Sequence, residues 1–328
     1  MERICIIIPV YNGETVIKRC LDSIFSQSYK EIVVVCINDG STDKTLSVLQ
    51  NYKKKNLYVI DQENKGVSAA RNAGLDFAEK QVKYDYITFI DSDDYIDSNY
   101  LQTMVDMMHA NDVEIVCVSF NFQASTYCRP YNQIGIDKKF SCFEGTKILV
   151  EDKTVQSHSH CKLYKRNVWN NVRFPVGIAW MEDQAILFLV FYNAKKGIFI
   201  SNYHGYHYWQ EGSSACRSQI SNKRIIDSLI GYKKACDYNF SDFSDDEQNE
   251  IKKVANNALA DVYLMTFFKI QAKKLTVDQK KTFIEIKKYI KNNRIVKKYI
   301  PENKNSRLKR LAYLYMRPFY KILFKIFS

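Results

Sequence analysis

Residues 87–94 read ITFIDSDD, in which a short apolar run is followed at once by three carboxylates. The apolar run suits a strand that is buried on both faces, so the carboxylates of Asp91, Asp93 and Asp94 emerge where that strand ends. Carboxylates this close repel one another unless a cation lies among them. Hard divalent ions such as Mg²⁺ and Mn²⁺ prefer oxygen ligands of this kind. The stretch therefore predicts a metal site at a strand end. The alternative is that it caps a helix that begins near Ser98.

The same change from apolar run to polar end is repeated along the first third of the chain. Apolar runs that predict strands alternate with segments of helical periodicity, which is typical of a mostly parallel sheet with helices on both faces. Such sheets bind ligands at the carboxyl ends of their strands. The predicted strands are Arg3 to Val10, Glu31 to Asn38, Leu57 to Asp61, Tyr86 to Ile90 and Glu114 to Phe122, and the predicted helices are Val16 to Ser26, Lys44 to Lys54, Val67 to Glu79 and Ser98 to Asn111.

The remainder of the chain predicts a less regular region and then helices. We expect loops and a short helix from Gln123 to Ser159, and Lys-rich helices without a strand beyond about Cys216. Between these regions we predict an ordered stretch at 161–169, a helix at 182–193 and strands at 197–200 and 203–209. The predicted domains are 1–215, an α/β catalytic domain; 216–300, a helical domain; and 301–328, a basic tail that follows a linker at 301–305.

The composition of the chain indicates which classes of partner it binds and in which cellular compartment we expect it. The chain has 328 residues and a formal net charge of +12, which favours polyanionic partners such as an anionic membrane or phosphate-rich substrates. It has neither an apolar run of about 20 residues nor a signal-peptide pattern. The nine cysteines lack C-x-x-C spacing, so we interpret them as buried reduced thiols of a cytoplasmic protein.

Four successive strand ends carry small, polar or acidic residues. They read PVYNGE (9–14), NDGSTD (38–43), NKGVSAARN (64–72) and DSDD (91–94). The first lacks G-x-G-x-x-G and no Walker A sequence is present, so neither a dinucleotide nor a P-loop site is predicted.

In this order and spacing the motifs resemble those of the family 2 glycosyltransferases with the GT-A fold, a Rossmann-like α/β fold. Two further stretches extend the resemblance, CKLYKR (161–166) with the family's K-L-Y segment and MED (181–183) with its E-D motif. The likeness runs from about Ile4 to Ser214. One departure is Asn38, where many members have a first aspartate.

The resemblance implies an inverting, metal-dependent, hexosyltransferase-type enzyme that uses a nucleotide-sugar, with a UDP-sugar as the expected donor. Asp183 would be the base that takes the proton from the acceptor hydroxyl, and Glu182 would position the acceptor or the base. Asp93 would bind Mn²⁺ or Mg²⁺, which bridges the diphosphate. The residues that it places at the nucleotide-sugar are Pro9, Tyr11, Glu14, Asp39 (which accepts a hydrogen bond from uracil), Arg71 (near the phosphates), Asp91 and Ser92.

Alternatives remain for several of these residues. Arg71 would otherwise be a solvated helix residue, and Glu182 and Asp183 would be acidic residues in the first turn of a helix, where the dipole favours them. His207 is a further metal candidate, with packing in an aromatic strand as its alternative role.

The segment Arg307 to Ser328 has six Lys or Arg residues and no acidic residue. Apolar residues near helical spacing predict an amphipathic helix, kinked at Pro318, on an anionic membrane surface. Docking of this face on the protein's own helical domain is the alternative.

Surface-polysaccharide synthesis by a peripheral enzyme on the inner face of the cell membrane is the function that the sequence favours, with a glycan or lipid-linked glycan as acceptor. A metal-dependent nucleotidyltransferase and a non-catalytic protein that binds membranes or nucleic acid are the alternatives. The nucleotidyltransferase would need a Gly-rich basic loop after the first strand. We expect no nucleic-acid partner, because no recognition motif is present and the basic excess lies in the C-terminal third.

Overall fold

The computed structural model describes residues 2–131, 137–178, 180–211, 221–267, 275–299, 301 and 304–315. It confirms the mixed α/β fold followed by helices. The strands are β1 (Ile4–Val10), β2 (Ile32–Asp39), β3 (Leu57–Gln62), β4 (Tyr86–Phe89), β5 (Tyr95–Ile96), β6 (Ile115–Val118), β7 (Asn121–Gln123), β8 (Cys128–Pro130), β9 (Lys138–Phe140), β10 (Lys162–Lys165), β11 (Ile198–Ser201) and β12 (Tyr206–Trp209). The helices are α1 (Ile17–Phe25), α2 (Thr45–Asn51), α3 (Val67–Gln81), α4 (Tyr100–Asn111), α5 (Cys142–Glu151), α6 (Leu187–Asn193), α7 (Asn222–Asp237), α8 (Asp245–Phe267), α9 (Val277–Asn292), α10 (Ile295–Lys298) and α11 (Lys304–Tyr315).

An eight-stranded sheet forms the centre of the molecule, in the order β3-β2-β1-β4-β10-β6-β11-β9. The first four strands are mutually parallel, and β6 pairs in parallel with β11. Strand β10 lies antiparallel between β4 and β6. A second sheet, β5-β12-β7-β8, lies beyond the carboxyl end of β4. The carboxyl ends of β1, β2 and β4 therefore meet at one edge, as the polar strand ends predict.

Both faces of the sheet are covered, and alternate residues of each strand pack on opposite sides. Ile7 and Val35 belong to a core that continues through α3 and α5 into the C-terminal helices, whereas Ile6 and Val34 pack with α1 and α4. The first of these cores reaches Tyr263 of α8. The C-terminal helices thus share a core with the sheet, while the predicted boundaries at 215/216 and 300/301 include residues outside the described ranges.

Four predicted regions differ from the structure. The region Gln123 to Ser159, expected to hold loops and a short helix, also contains the short strands β8 and β9. The predicted strand Glu114 to Phe122 is two strands, β6 and β7, which belong to different sheets. The helix expected from Glu182 begins only at Leu187, because the preceding residues form turns. Glu182 and Asp183 therefore do not lie in the first turn of a helix. The expected linker at 301–305 is also shorter, because α11 begins at Lys304.

The described part of the basic tail, 307–315, docks on the helical region. Tyr313 is buried against Tyr263, with ring centroids 5.6 Å apart, and the Arg310 side chain donates to the carbonyl of Val296 at 3.0 Å. Leu308 and Leu311 remain exposed on the other side of α11. Residues 316–328 of the predicted membrane helix lie outside the described residues. Within the ranges that the structure describes, no helix combines the length and apolar character needed to cross a membrane.

Candidate active site

A buried arginine joins the third, fourth and last motifs. Arg71 of α3 is only 4% exposed. Its Nη1 donates to Glu182 at 2.8 Å and to Asp183 at 3.1 Å, and its Nη2 lies 3.4 Å from Asp91. We call these four residues the Arg71 cluster. The alternative of a solvated helix residue is therefore wrong for Arg71, while its contact with the donor phosphates stays a prediction.

Burial and the charges of the Arg71 cluster together set the pKa of Asp183. Burial raises the pKa of Asp183 to about 7, Arg71 opposes that shift, and the charges of Glu182 and Asp91 add to it. Burial alone would lower the pKa of Arg71. The charges of the three carboxylates outweigh burial, so the pKa of Arg71 lies above its ordinary value. A pKa near 7 would suit a general base that works at neutral pH.

Asp94 differs from its two acidic neighbours. It is completely buried, and it accepts hydrogen bonds from the Tyr206 hydroxyl at 2.6 Å and the Trp209 amide at 2.8 Å. Burial and the neighbouring Asp93 and Asp91 hold the pKa of Asp94 well above its ordinary value. The prediction of three carboxylates around a cation is therefore wrong for Asp94, which instead ties β12 to the end of β4.

Asp91 and Asp93 are the partly exposed carboxylates of this loop. Arg19 of α1 holds this loop, because its guanidinium donates to the Asp93 carbonyl at 2.6 Å. The same guanidinium lies 3.8 Å from the Trp209 ring centroid. Among the residues described, no three His, Cys, Asp or Glu side chains lie close enough to hold a metal by themselves. Two accessible carboxylates nevertheless fit a hard divalent ion that takes its other ligands from substrate phosphates. Metal binding at Asp93 stays a prediction.

Asp39 has a structural role that its sequence context did not reveal. Its Oδ1 accepts from the Gln62 side chain at 2.7 Å and the Lys65 amide at 2.9 Å, and its Oδ2 accepts from the Gly66 amide at 2.8 Å. The neighbouring Gly40 has φ +67°, and a Cβ there would lie 2.5 Å from the Asn64 amide nitrogen. Asp39 therefore closes the loop that leads into α3 and Arg71. Its contact with uracil stays a prediction.

The first two strand ends are tied to each other through their loops. The Asn12 side chain accepts from the Thr42 amide at 2.8 Å, and Glu14 accepts from the Lys44 amide at 2.8 Å. Tyr11 is 52% exposed beside this junction, whereas Pro9 is buried within β1. The structure thus places the predicted nucleoside residues on adjacent strand ends, with the Tyr11 ring accessible.

Ser92 and His207 are less clearly placed by their contacts. Ser92 is half-buried in the turn between Asp91 and Asp93. His207 stacks on Tyr95 with ring centroids 4.5 Å apart, and its Nε2 lies 2.8 Å from Asp97. Aromatic packing is what the structure shows for His207, and its metal role stays a prediction.

Sequence reasoning missed two residues that hold the cluster. Asn72 exchanges two hydrogen bonds of 2.8 Å with the backbone of Phe174, whose ring centroid lies 5.2 Å from the Arg71 guanidinium. Ser159 donates its amide to Asp183 at 3.1 Å. Asn72 lay within a quoted motif, but Ser159 carried no local signal, because its partner is 24 residues away.

More than half of the chain matches the model of one protein family. The model of glycosyl transferase family 2 matches residues 5–173, just over half of the chain. The chain belongs to glycosyl transferase family 2. The matched range includes Arg71 and Asp91, and Glu182 and Asp183 lie just beyond it.

Two curated relatives are similar to more than half of the chain. A glycosyltransferase GlyA of Streptococcus pneumoniae is 32% identical over 54% of this chain and 26% of its own length. A poly(ribitol-phosphate) beta-glucosyltransferase of Bacillus spizizenii is 34% identical over 63% of this chain and 32% of its own length. This chain thus spans about a quarter to a third of the length of these relatives.

The fold also has a solved counterpart. The crystal structure of Staphylococcus aureus TarS 1–349 superposes with a TM-score of 0.69 over 97% of this chain and 91% of that chain, at 19% identity. The same TarS fragment in complex with UDP-GlcNAc gives the same TM-score. This likeness shows the fold, including the C-terminal helices.

Removal of the Arg71 charge tests the cluster. We expect Arg71→Met to lower the free energy of unfolding by about 3–5 kcal/mol, because it leaves buried carboxylates without their partner. The loss should be smaller at pH 5.5 than at pH 8. Without Arg71 the folded carboxyl groups hold protons more tightly than the unfolded chain does, so falling pH favours the folded variant. Urea unfolding at both pH values measures this.

Arg173→Met is the matched control, because Arg173 pairs with Asp76 and Glu79 in a more exposed setting. It should cost less than about 1 kcal/mol. Equal losses for the two variants at both pH values would contradict the cluster's proposed energetics.

Proposed function

We propose that the chain transfers a sugar, with inversion, from a UDP-sugar to a hydroxyl of a glycan or lipid-linked glycan in the synthesis of a cell-surface polymer. The Arg71 cluster carries this proposal, because it brings a carboxyl group with a pKa near 7 to the strand ends where the family's donor motifs lie. Relatives support it: one is named for poly(ribitol-phosphate) glucosylation, and another is a minor teichoic acid biosynthesis protein of Bacillus subtilis. A phosphate-rich acceptor would also suit the net charge of +12.

In the proposed reaction, Asp183 takes the proton from the acceptor hydroxyl. The acceptor oxygen then forms a bond to the anomeric carbon, and the bond to the nucleoside diphosphate breaks with its electron pair on the leaving group. Arg71 holds the Asp183 carboxylate by one oxygen, and the Ser159 amide holds it by the other. Glu182, bonded to the same guanidinium, positions the acceptor or the base.

Asp93, with Asp91 beside it, is the residue that we propose as the ligand of Mn²⁺ or Mg²⁺. Such an ion, when bound, offsets the negative charge that grows on the departing diphosphate. We propose Tyr11, Glu14 and Asp39 for the nucleoside.

Two substitutions separate the proposed roles. Asp183→Asn should retain UDP binding and lower turnover by on the order of 10²–10⁴-fold, because it removes the base. Asp93→Asn should weaken Mn²⁺-dependent binding of the donor. Thermal shifts with UDP-, GDP- and dTDP-sugars first identify the donor, and titration calorimetry and UDP release then measure binding and turnover.

Asp112→Asn serves as the control, because Asp112 pairs with Lys196 on the surface and its left-handed φ of 42° also suits asparagine. It should behave as wild type. Wild-type turnover by Asp183→Asn would refute the assignment of the base, and unchanged metal dependence in Asp93→Asn would refute that of the metal ligand.

We also propose that the C-terminal region rests on an anionic membrane surface on the inner face of the cell membrane. The exposed cations between Lys280 and Lys298 extend the charge of the tail, and Glu285 is the one acidic residue within this range. They are Lys280, Lys281, Lys287, Lys288, Lys291, Arg294, Lys297 and Lys298. Leu308 and Leu311 are exposed beside Arg307 on the undocked side of α11. Basic side chains with apolar neighbours are typical of interfacial helices.

Vesicle flotation tests this contact. The full chain should bind vesicles that contain phosphatidylglycerol, and a chain that ends at Tyr315 should bind on the order of 10²-fold more weakly, because it lacks three cations at about 1 kcal/mol each. Pure phosphatidylcholine vesicles are the control and should bind neither. Equal binding by both chains, or binding by neither, would contradict a membrane role of the tail.

A further inference from the structure

The K-L-Y segment of the sequence contacts the residues that lie next to Asp183. Strand β10 contains Lys162 and Tyr164, and its residues are held between β4 and β6 in the middle of the sheet. The preceding residues, 156–159, fold back over this strand, and Cys161 turns the chain with a left-handed φ of 58°. A non-glycine residue in this conformation is strained, so other contacts must hold the 156–159 segment in place.

Two side chains of β10 supply those contacts. The ammonium of Lys162 donates to the carbonyl of Gln156 at 2.9 Å and to that of His158 at 2.6 Å. The hydroxyl of Tyr164 donates to the carbonyl of Ser159 at 3.1 Å. Three of the four carbonyls of the segment are therefore bonded to side chains that project from one strand.

The segment in turn holds Asp183. Ser159 is fully buried, and its backbone amide donates to Asp183 Oδ2 at 3.1 Å. The Ser159 carbonyl accepts the hydrogen bond from the Tyr164 hydroxyl. Lys162 is only 3% exposed, and its two hydrogen bonds in this segment go to neutral carbonyl oxygens. A buried ammonium is costly when its partners are neutral. This buried charge therefore lies next to the segment whose Ser159 amide contacts the Asp183 carboxylate.

We infer that Lys162 and Tyr164 are positioning residues, which hold the Ser159 amide against the Asp183 carboxylate and so fix the base for sugar transfer. This inference rests on the proposed role of Asp183. Neither side chain reaches the substrate in this scheme; each acts through the backbone of the 156–159 segment. The amide favours the ionised form of Asp183, because it donates to the charged oxygen.

The ionisable groups around Asp183 come from several elements. Arg71 projects from α3, Asp91 follows β4, Glu182 precedes Asp183 in the chain, and Tyr164 lies in β10. Burial raises the pKa of Tyr164 well above its ordinary value, so its hydroxyl is neutral. Tyr164→Phe therefore removes a hydrogen bond without a change of charge, and it keeps the ring that packs 5.3 Å from Trp169. Any change in the titration of Asp183 must then come from the moved segment.

The test compares Tyr164→Phe and Lys162→Met with wild type in turnover of a UDP-sugar between pH 5 and pH 9. For Tyr164→Phe we expect unchanged UDP binding and a several-fold lower kcat. The acid limb of its kcat profile should move to higher pH by about half to one pH unit. Lys162→Met should shift the limb in the same direction and by more, since two carbonyls lose their donor.

Tyr29→Phe is the matched control, because the Tyr29 hydroxyl also donates to a backbone carbonyl, that of Glu2 at 2.5 Å, far from the site. It should leave the pH profile in place. If Tyr164→Phe folds as wild type and its acid limb does not move, the inference is wrong. If Lys162→Met loses only thermal stability and keeps the wild-type profile, its positioning role is likewise refuted. Failure of the proposed base is distinguishable, because Asp183→Asn would then keep its turnover.

Discussion

The buried guanidinium of Arg71 is the interaction on which the site depends. It joins α3, the loop after β4 and the turn before α6 through contacts to Asp91, Glu182 and Asp183. These partners are 20, 111 and 112 residues away from it in sequence. A buried charge must be paired, so each element is held where its carboxylate meets the arginine. The position of the proposed base is thereby fixed relative to the donor motifs.

One positive charge does not balance three negative ones. The excess adds to burial, which is the largest influence on this carboxyl group, and together they raise the pKa of Asp183 to about 7. The excess also makes the strand end a favourable place for a further cation. The site combines a buried carboxyl group at Asp183, the proposed base, with a partly exposed carboxylate at Asp93. The two groups are of the same residue type, and they differ because their surroundings differ.

The sequence predicted the sheet well, because continuous apolar runs show where parallel strands are buried. Strands β1 to β4 begin and end within one residue of the predicted bounds, and the polar strand ends meet as expected. Local pattern did not show that β10 inserts antiparallel between β4 and β6, or that β6 and β7 belong to different sheets. It placed Asp94 with the metal carboxylates, because burial against Tyr206 depends on a strand 112 residues away. The ties made by Asn72 and Ser159 were missed for the same reason, since their partners are 102 and 24 residues away.

The pH dependence of turnover by the unaltered chain tests the central claim most directly. Release of UDP from the UDP-sugar that stabilises the chain best should fall about tenfold per pH unit below pH 7 and level off above it, because Asp183 must be ionised to accept the acceptor's proton. A kcat that is constant from pH 5 to pH 8, with chemistry as the slow step, would contradict the account.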